Sequence, residues 1–137
     1  MKLLFISKKS PAQLFQYLSS AQNFVSVHPI ISKMEDLGNN YFLVHETLRM
    51  GPIPISFTYK VSIEKNEQAN TVVMKARVFG ITNIHMKFNI KQLAEGTEIE
   101  EQIDFKTFFF LKPILKSIFK TQHTQLFQNI EAQKEVS

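Results

Sequence analysis

Two carboxylates break the apolar phase of the segments that carry them. Glu46 falls in step with Phe42, Val44, Leu48 and Met50, and Glu101 with Ile99, Ile103 and Phe105. A carboxylate inside an apolar cavity loses hydration, and its pKa rises. It then suits general acid–base work or a hydrogen bond to a ligand hydroxyl. A place at a rim, a basic partner, or a bulge that shifts the phase would explain the same pattern. Those readings are favoured, and Glu46 and Glu101 stand as weak catalytic candidates. The four histidines, His28, His45, His85 and His123, lie on separate segments without the spacing of metal ligands, so no metal site is expected. His45 and His85 fall on faces assigned to solvent, and His28 precedes a turn proline, Pro29. With no cysteine, thiolate zinc sites, iron–sulfur clusters, disulfides and cysteine nucleophiles are excluded. Gly38, Gly51, Gly80 and Gly96 are isolated, so neither a phosphate-cradling loop nor a dinucleotide fingerprint can be written, and no GxSxG elbow exists. No cofactor is implied.

The other candidates are apolar. Phe57, Tyr59, Met74, Met86, Phe88, Ile103 and Phe105 share the inward face of strand-like segments, and Leu115, Ile118 and Phe119 face them from a terminal helix. With Glu46, Tyr59 and Glu101 as the few polar members, the set matches a ligand pocket. The same set describes a filled core. Phe108-Phe109-Phe110-Leu111 cannot all point inward from one strand end, and Lys112, Lys116 and Lys120 follow at intervals of four. Together they suit peripheral contact with an anionic membrane. The favoured alternative has the phenylalanines plugging a gap between sheet and helix, with the lysines solvated.

These residues must be positioned by one domain, spanning 1–137, because 137 residues and 15.9 kDa leave no room for two of ordinary size. Hydrophobic residues at 44% and charged residues at 20% are globular proportions. A net charge of +4 is mildly basic and lacks the clustered stripe of a nucleic-acid binder, so no nucleic-acid partner is expected. The apolar run Leu3–Ile6 is too short for a signal peptide and no run suits a membrane span, which makes a cytoplasmic location the default expectation. The sequence sets no oligomeric state.

Lys2–Ile6 reads as a strand. Ser10, Pro11 and Gln13 then form a helix start of the capping-box type, followed by Leu14, Phe15 and Leu18 at helical spacing. A second short helical turn runs from Asn23 to His28. The period then changes to two, in strands at Ile30–Leu37, Tyr41–Met50, Ile55–Glu64, Val72–Val78, Asn83–Ile90 and Thr97–Lys106. Their short connections imply antiparallel hairpins. A long helix closes the chain, with Leu111, Ile114, Leu115, Ile118, Gln122, Leu126 and Ile130 as its apolar stripe, widened by Phe119 and Phe127. The expected fold is α+β: a curved seven-stranded antiparallel sheet around a C-terminal helix, with one or two short helices after the first strand.

In this order the chain resembles the START-like, or SRPBCC polyketide-cyclase, superfamily of helix-grip domains. The resemblance rests on Ser10-Pro11-Ala12-Gln13-Leu14-Phe15 opening the first helix and on His28-Pro29-Ile30 entering the second strand. Gly96-Thr97-Glu98-Ile99 opening the last strand, and His123 and Phe127 in the final helix, complete it. It implies a cavity between sheet and helix that takes an apolar small molecule such as a lipid, isoprenoid or polyketide-like compound, for binding or transport. The alternatives are a cyclase or dehydratase using Glu46 or Glu101, and a membrane- or partner-docking module using Phe108–Leu111.

Overall fold

Period-two alternation builds most of the chain into one sheet. The computed structural model describes residues 1–134, the Met50 side chain excepted. Its strands are β1 (Lys2–Ser7), β2 (Ile31–Gly38), β3 (Tyr41–Met50), β4 (Ile53–Asn66), β5 (Thr71–Val78), β6 (Thr82–Gln92) and β7 (Thr97–Lys106). They lie in the order β1-β7-β6-β5-β4-β3-β2, each antiparallel to its neighbour. β2 through β7 form successive hairpins. The one long excursion, from edge strand β1 to the opposite edge β2, is made by α1 (Pro11–Ser19) and α2 (Ala21–Val27).

α1 starts where the sequence dictates. Ser10 accepts from the Gln13 amide while the Gln13 side chain accepts from the Ser10 amide, so two otherwise orphaned donors are satisfied. Ser20 ends α1 and caps α2, whose seven residues replace the single turn expected from Asn23 to His28. One face of the sheet buries Val61, Met74, Ile84, Phe88, Ile99 and Ile103 against Leu14 and Leu18 of α1 and Leu126, Phe127 and Ile130 of the last helix.

That helix, α3 (Lys112–Ala132), is about 32 Å long at 1.5 Å per residue. Its two halves are held unequally. Towards the C-terminus His123, Leu126, Phe127 and Ile130 are buried. Glu131 accepts from the Ser7 hydroxyl and the Lys8 amide, the buried Lys9 donates its ammonium to the Gln133 carbonyl, and Asn129 donates to the Val27 carbonyl. The first turn has no side-chain cap, and Leu115, Ile118 and Phe119 are only half buried.

Three expectations are corrected at this end of the molecule. Ile114, placed in the buried stripe, is 54% exposed; Ile55, placed on the inward face of β4, is 41% exposed, and Phe57 beside it is only half buried. The β3–β4 hairpin overruns the partner strand: β4 pairs with β5 only from Lys60 onward, so its first residues overhang. Phe108, Phe109 and Phe110 plug nothing; all three are exposed and stack mainly on one another. Among the described residues no helix is long and apolar enough to cross a membrane.

Candidate functional site

β3 and β4 supply the first polar pair. Their register sets Val44 opposite Tyr59 and Glu46 opposite Phe57, so Glu46 and Tyr59 are diagonal neighbours on one face. The Tyr59 hydroxyl and the Glu46 carboxyl interact on that face, each perturbing the other's titration. Burial pushes the Glu46 carboxyl above the usual range, against the opposing pull of Tyr59 and of His123. Burial, then the Glu46 charge, lifts the Tyr59 hydroxyl well above its ordinary value, so it stays a neutral donor.

His28 caps the end of α2. Its Nδ1 accepts from the Ile30 and Ile31 amides, each at 3.2 Å, which fixes the ring proton on Nε2. Burial, then the neighbouring His123, pushes its pKa down to about 3, and the ring is neutral at physiological pH. His123 reaches in from α3. Its Nδ1 lies 2.8 Å and 2.6 Å from the two Glu101 oxygens, and the residues are only 2% and 0% exposed. The carboxylate accepts the Nδ1 proton and leaves Nε2 as the free edge of the ring. Phe88 and Phe119 flank that ring at 6.4 Å and 5.2 Å, which keeps the pair dry.

Glu46, Tyr59, His28 and His123 converge on a cavity of about 30 Å³ whose other walls are Phe24, Ile31, Met34, Val44, Val61, Met74, Ala76, Ile84, Met86, Phe119 and Gln122. It is enclosed and small, with room for one or two waters. Outside it, a cleft of about 660 Å³ runs between the β2–β3 edge (Pro29–Ser32, Thr47–Arg49) and the α3 face formed by Ser117, Ile118, Thr121 and Gln122. Ile31 and Gln122 line both spaces and form the partition between them.

Of the residues singled out from sequence, Glu46, Tyr59, Met74, Met86 and Phe119 come together on the cavity, and Ile118 faces the cleft. Phe88, Ile103 and Phe105 are buried beside it, with Phe105 against Phe119 at 5.1 Å. Glu101 stands behind His123 and does not line the space. Leu115 borders neither space, and Phe57 lies outward between Tyr59 and Phe79. His45, assigned to solvent, is half buried beside Glu35 at 3.3 Å. Sequence reasoning missed His28, His123 and Gln122 as site residues. For His123 a signal existed: it stands four residues from both Phe119 and Phe127, inside the apolar stripe. Among the described residues no cluster of three or more His, Asp or Glu side chains could hold a metal ion.

The chemistry available is hydrogen bonding and proton transfer. Nε2–H of His28 and the Tyr59 hydroxyl are donors, and His123, oriented through Nδ1 by Glu101, adds its Nε2 edge. Glu46 accepts when ionised and donates when protonated.

No curated protein sequence matches the chain. Solved structures do. Ara h 8.0201 superposes with a TM-score of 0.75 at 17% identity, covering 96% of this chain and 93% of that one. An aromatase/cyclase from Streptomyces sp. R1128 gives 0.71 at 11% identity, covering 95% and 89%. Norcoclaurine synthase from Thalictrum flavum, in complex with dopamine and hydroxybenzaldehyde, gives 0.70 at 12%, covering 98% and 88%. At these identities the likeness is one of fold, the helix-grip arrangement of sheet and C-terminal helix. Residues 5–133 match the family model for CoxG of carbon monoxide dehydrogenase, and the chain belongs to the CoxG family.

Proposed function

We propose that this protein binds a small, uncharged, largely apolar molecule bearing a hydroxyl or carbonyl group. The observation that carries the reading is the convergence of Glu46, Tyr59, His28 and His123 on an otherwise apolar cavity that only Ile31 and Gln122 separate from an outer cleft. Apolar burial supplies affinity, and the few polar groups fix the head. Among the described residues no Lys or Arg lines the cavity. An anionic head would lose its hydration there and meet Glu46, whereas a neutral hydroxyl finds both donors and acceptors. Entry is through the cleft. Ile31 and Gln122 part as the half-buried first half of α3 shifts, enlarging a space that otherwise holds only water.

Fluorescence titration with 2-naphthol and 2-naphthoate tests this. The naphthol is expected to bind and the carboxylate not to, and Tyr59→Phe should weaken naphthol binding by about fivefold, the worth of one hydrogen bond. If neither compound binds the parent protein, the pocket reading fails. Equal binding of both removes the selectivity for neutral heads.

One observation favours a second reading, in which the ligand is also transformed. Glu101 bonds Nδ1 of His123 and so orients its ring, as a carboxylate orients the imidazole of a general base. Cyclisation or dehydration of a carbonyl compound would use its Nε2, with Glu46 as the acid. In that case His123→Gln abolishes turnover while naphthol still binds, and Glu46→Gln shifts the pH profile of the rate.

A further inference from the structure

The end of the molecule farthest from the α3 C-terminus carries an exposed apolar rim. The register brings three connections to one end: β3–β4, where Met50 opposes Ile53; β5–β6, where Val78 opposes Thr82; and β7–α3, which follows the pairing of Asn83 with Lys106. From these loops Ile53, Phe79, Ile81, Phe108, Phe109 and Phe110 project into solvent, and Ile114 continues the surface onto α3. Phe109 is 84% exposed and Phe79 is 67% exposed. Phe79 also holds φ at +54°, a left-handed conformation that a bulky side chain adopts only at a cost. Water-facing phenylalanines and isoleucines gathered from three separate connections are not what a solvated surface selects.

Their surroundings are cationic. The stretches 49–53, 77–82 and 104–120 that meet here carry Arg49, Arg77, Lys106, Lys112, Lys116 and Lys120 against a single carboxylate, Asp104. A second copy of the chain would set that charge against its own like. An apolar tip inside a collar of long basic side chains fits an anionic bilayer: the rings enter the acyl boundary while the ammonium and guanidinium groups stay at the phosphates. We propose that this rim docks on the surface of an anionic membrane. The argument uses nothing from the pocket and stands without it. The outer cleft, which ends at Arg49, opens beside the docked end.

Sedimentation with phosphatidylcholine vesicles, with and without about one third phosphatidylserine, tests the proposal. The protein is expected to pellet with the anionic vesicles, less so as salt rises, and to stay in solution with phosphatidylcholine alone. Phe109→Ser should lower the partition about tenfold, the worth of one inserted ring. Charge removal at Lys112, Lys116 and Lys120 together should lower it about fivefold per lysine. Both variants are expected to melt as the parent does, because the positions are exposed. No binding to anionic vesicles overturns the proposal, as does binding that ignores both variants. A concentration-dependent dimer that Phe109→Ser dissolves would assign the rim to a second copy instead.

Discussion

His28 and His123 face each other edge to face with ring centroids 6.2 Å apart, under opposite constraints. His28 is kept neutral by burial and by two backbone donors on Nδ1, whereas His123 has a buried carboxylate for a partner. An unfolded chain takes up a proton at His28 near pH 6.5, the folded one only near 3, so stability is lost as pH falls through that window. At about 1.4 kcal/mol per pH unit the effect reaches several kcal/mol. Glu46, with its raised pKa, acts the other way, since its stabilising proton is lost as pH rises through the folded value. Tyr59 is neutral throughout this range, and Glu101 and His123 complete the set of groups around the ring. His28→Asn keeps an acceptor near Nδ1 and removes the titration. Its melting temperature is expected to vary less between pH 6.5 and 4 than that of the parent, as differential scanning calorimetry at stepped pH would record. Glu101→Leu should cost about 3–5 kcal/mol by leaving His123 unpaired in the core, and adding His123→Phe should recover part of that, measured by urea unfolding. Glu46 and Glu101 were visible in the sequence because they interrupt apolar alternation. His28 was not, since its role depends on where α2 ends relative to β2, which spacing alone does not set.

Gly96 shows what an element boundary demands. It turns β6 into β7 at φ +81°, and a Cβ there would lie 2.6 Å from the Ser7 carbonyl oxygen of the adjoining strand. Gly96→Ala therefore meets backbone that cannot move aside as well as an unfavourable φ, and about 2 kcal/mol or more should be lost in denaturant titration. Gly38, Gly51 and Gly80 have open space at the same position, so substitution there meets only the φ penalty. Strand and helix identities were readable because capping boxes and periods of two and 3.6 are local signals. What alternation cannot say is whether anything covers the inward side. Ile55, Phe57 and Ile114 keep phase with buried neighbours, yet they lie beyond the reach of the opposing layer, as the length of β4 and the late burial of α3 together decide.

At the scale of the whole molecule, one helix closes one sheet. A chain ending at Leu111 loses Leu126, Phe127 and Ile130, which are 0%, 7% and 1% exposed, and uncovers the face they bury. It should show no cooperative melting transition by calorimetry; a sharp transition in that truncated chain would contradict the architecture described above. The order of elements was enough to infer this closure. The size of the cavity was not, because 30 Å³ is the residue of packing among more than a dozen side chains. A shift of a fraction of an ångström in any of them changes it, and no pattern in the sequence records such shifts.

The unequal anchoring of α3 has a consequence in time. Backbone amides of the clasped half, around His123 to Glu131, open only with the sheet beneath them, so their hydrogen exchange should approach the rate set by global unfolding. Those between Leu115 and Lys120 need only a local opening of an uncapped, half-buried turn, and should exchange orders of magnitude faster. The helix thus behaves as a latch pivoting at its C-terminal end. On the entry route proposed above, the opening rate of its free half would set the ceiling on how fast a ligand reaches the space behind Ile31 and Gln122.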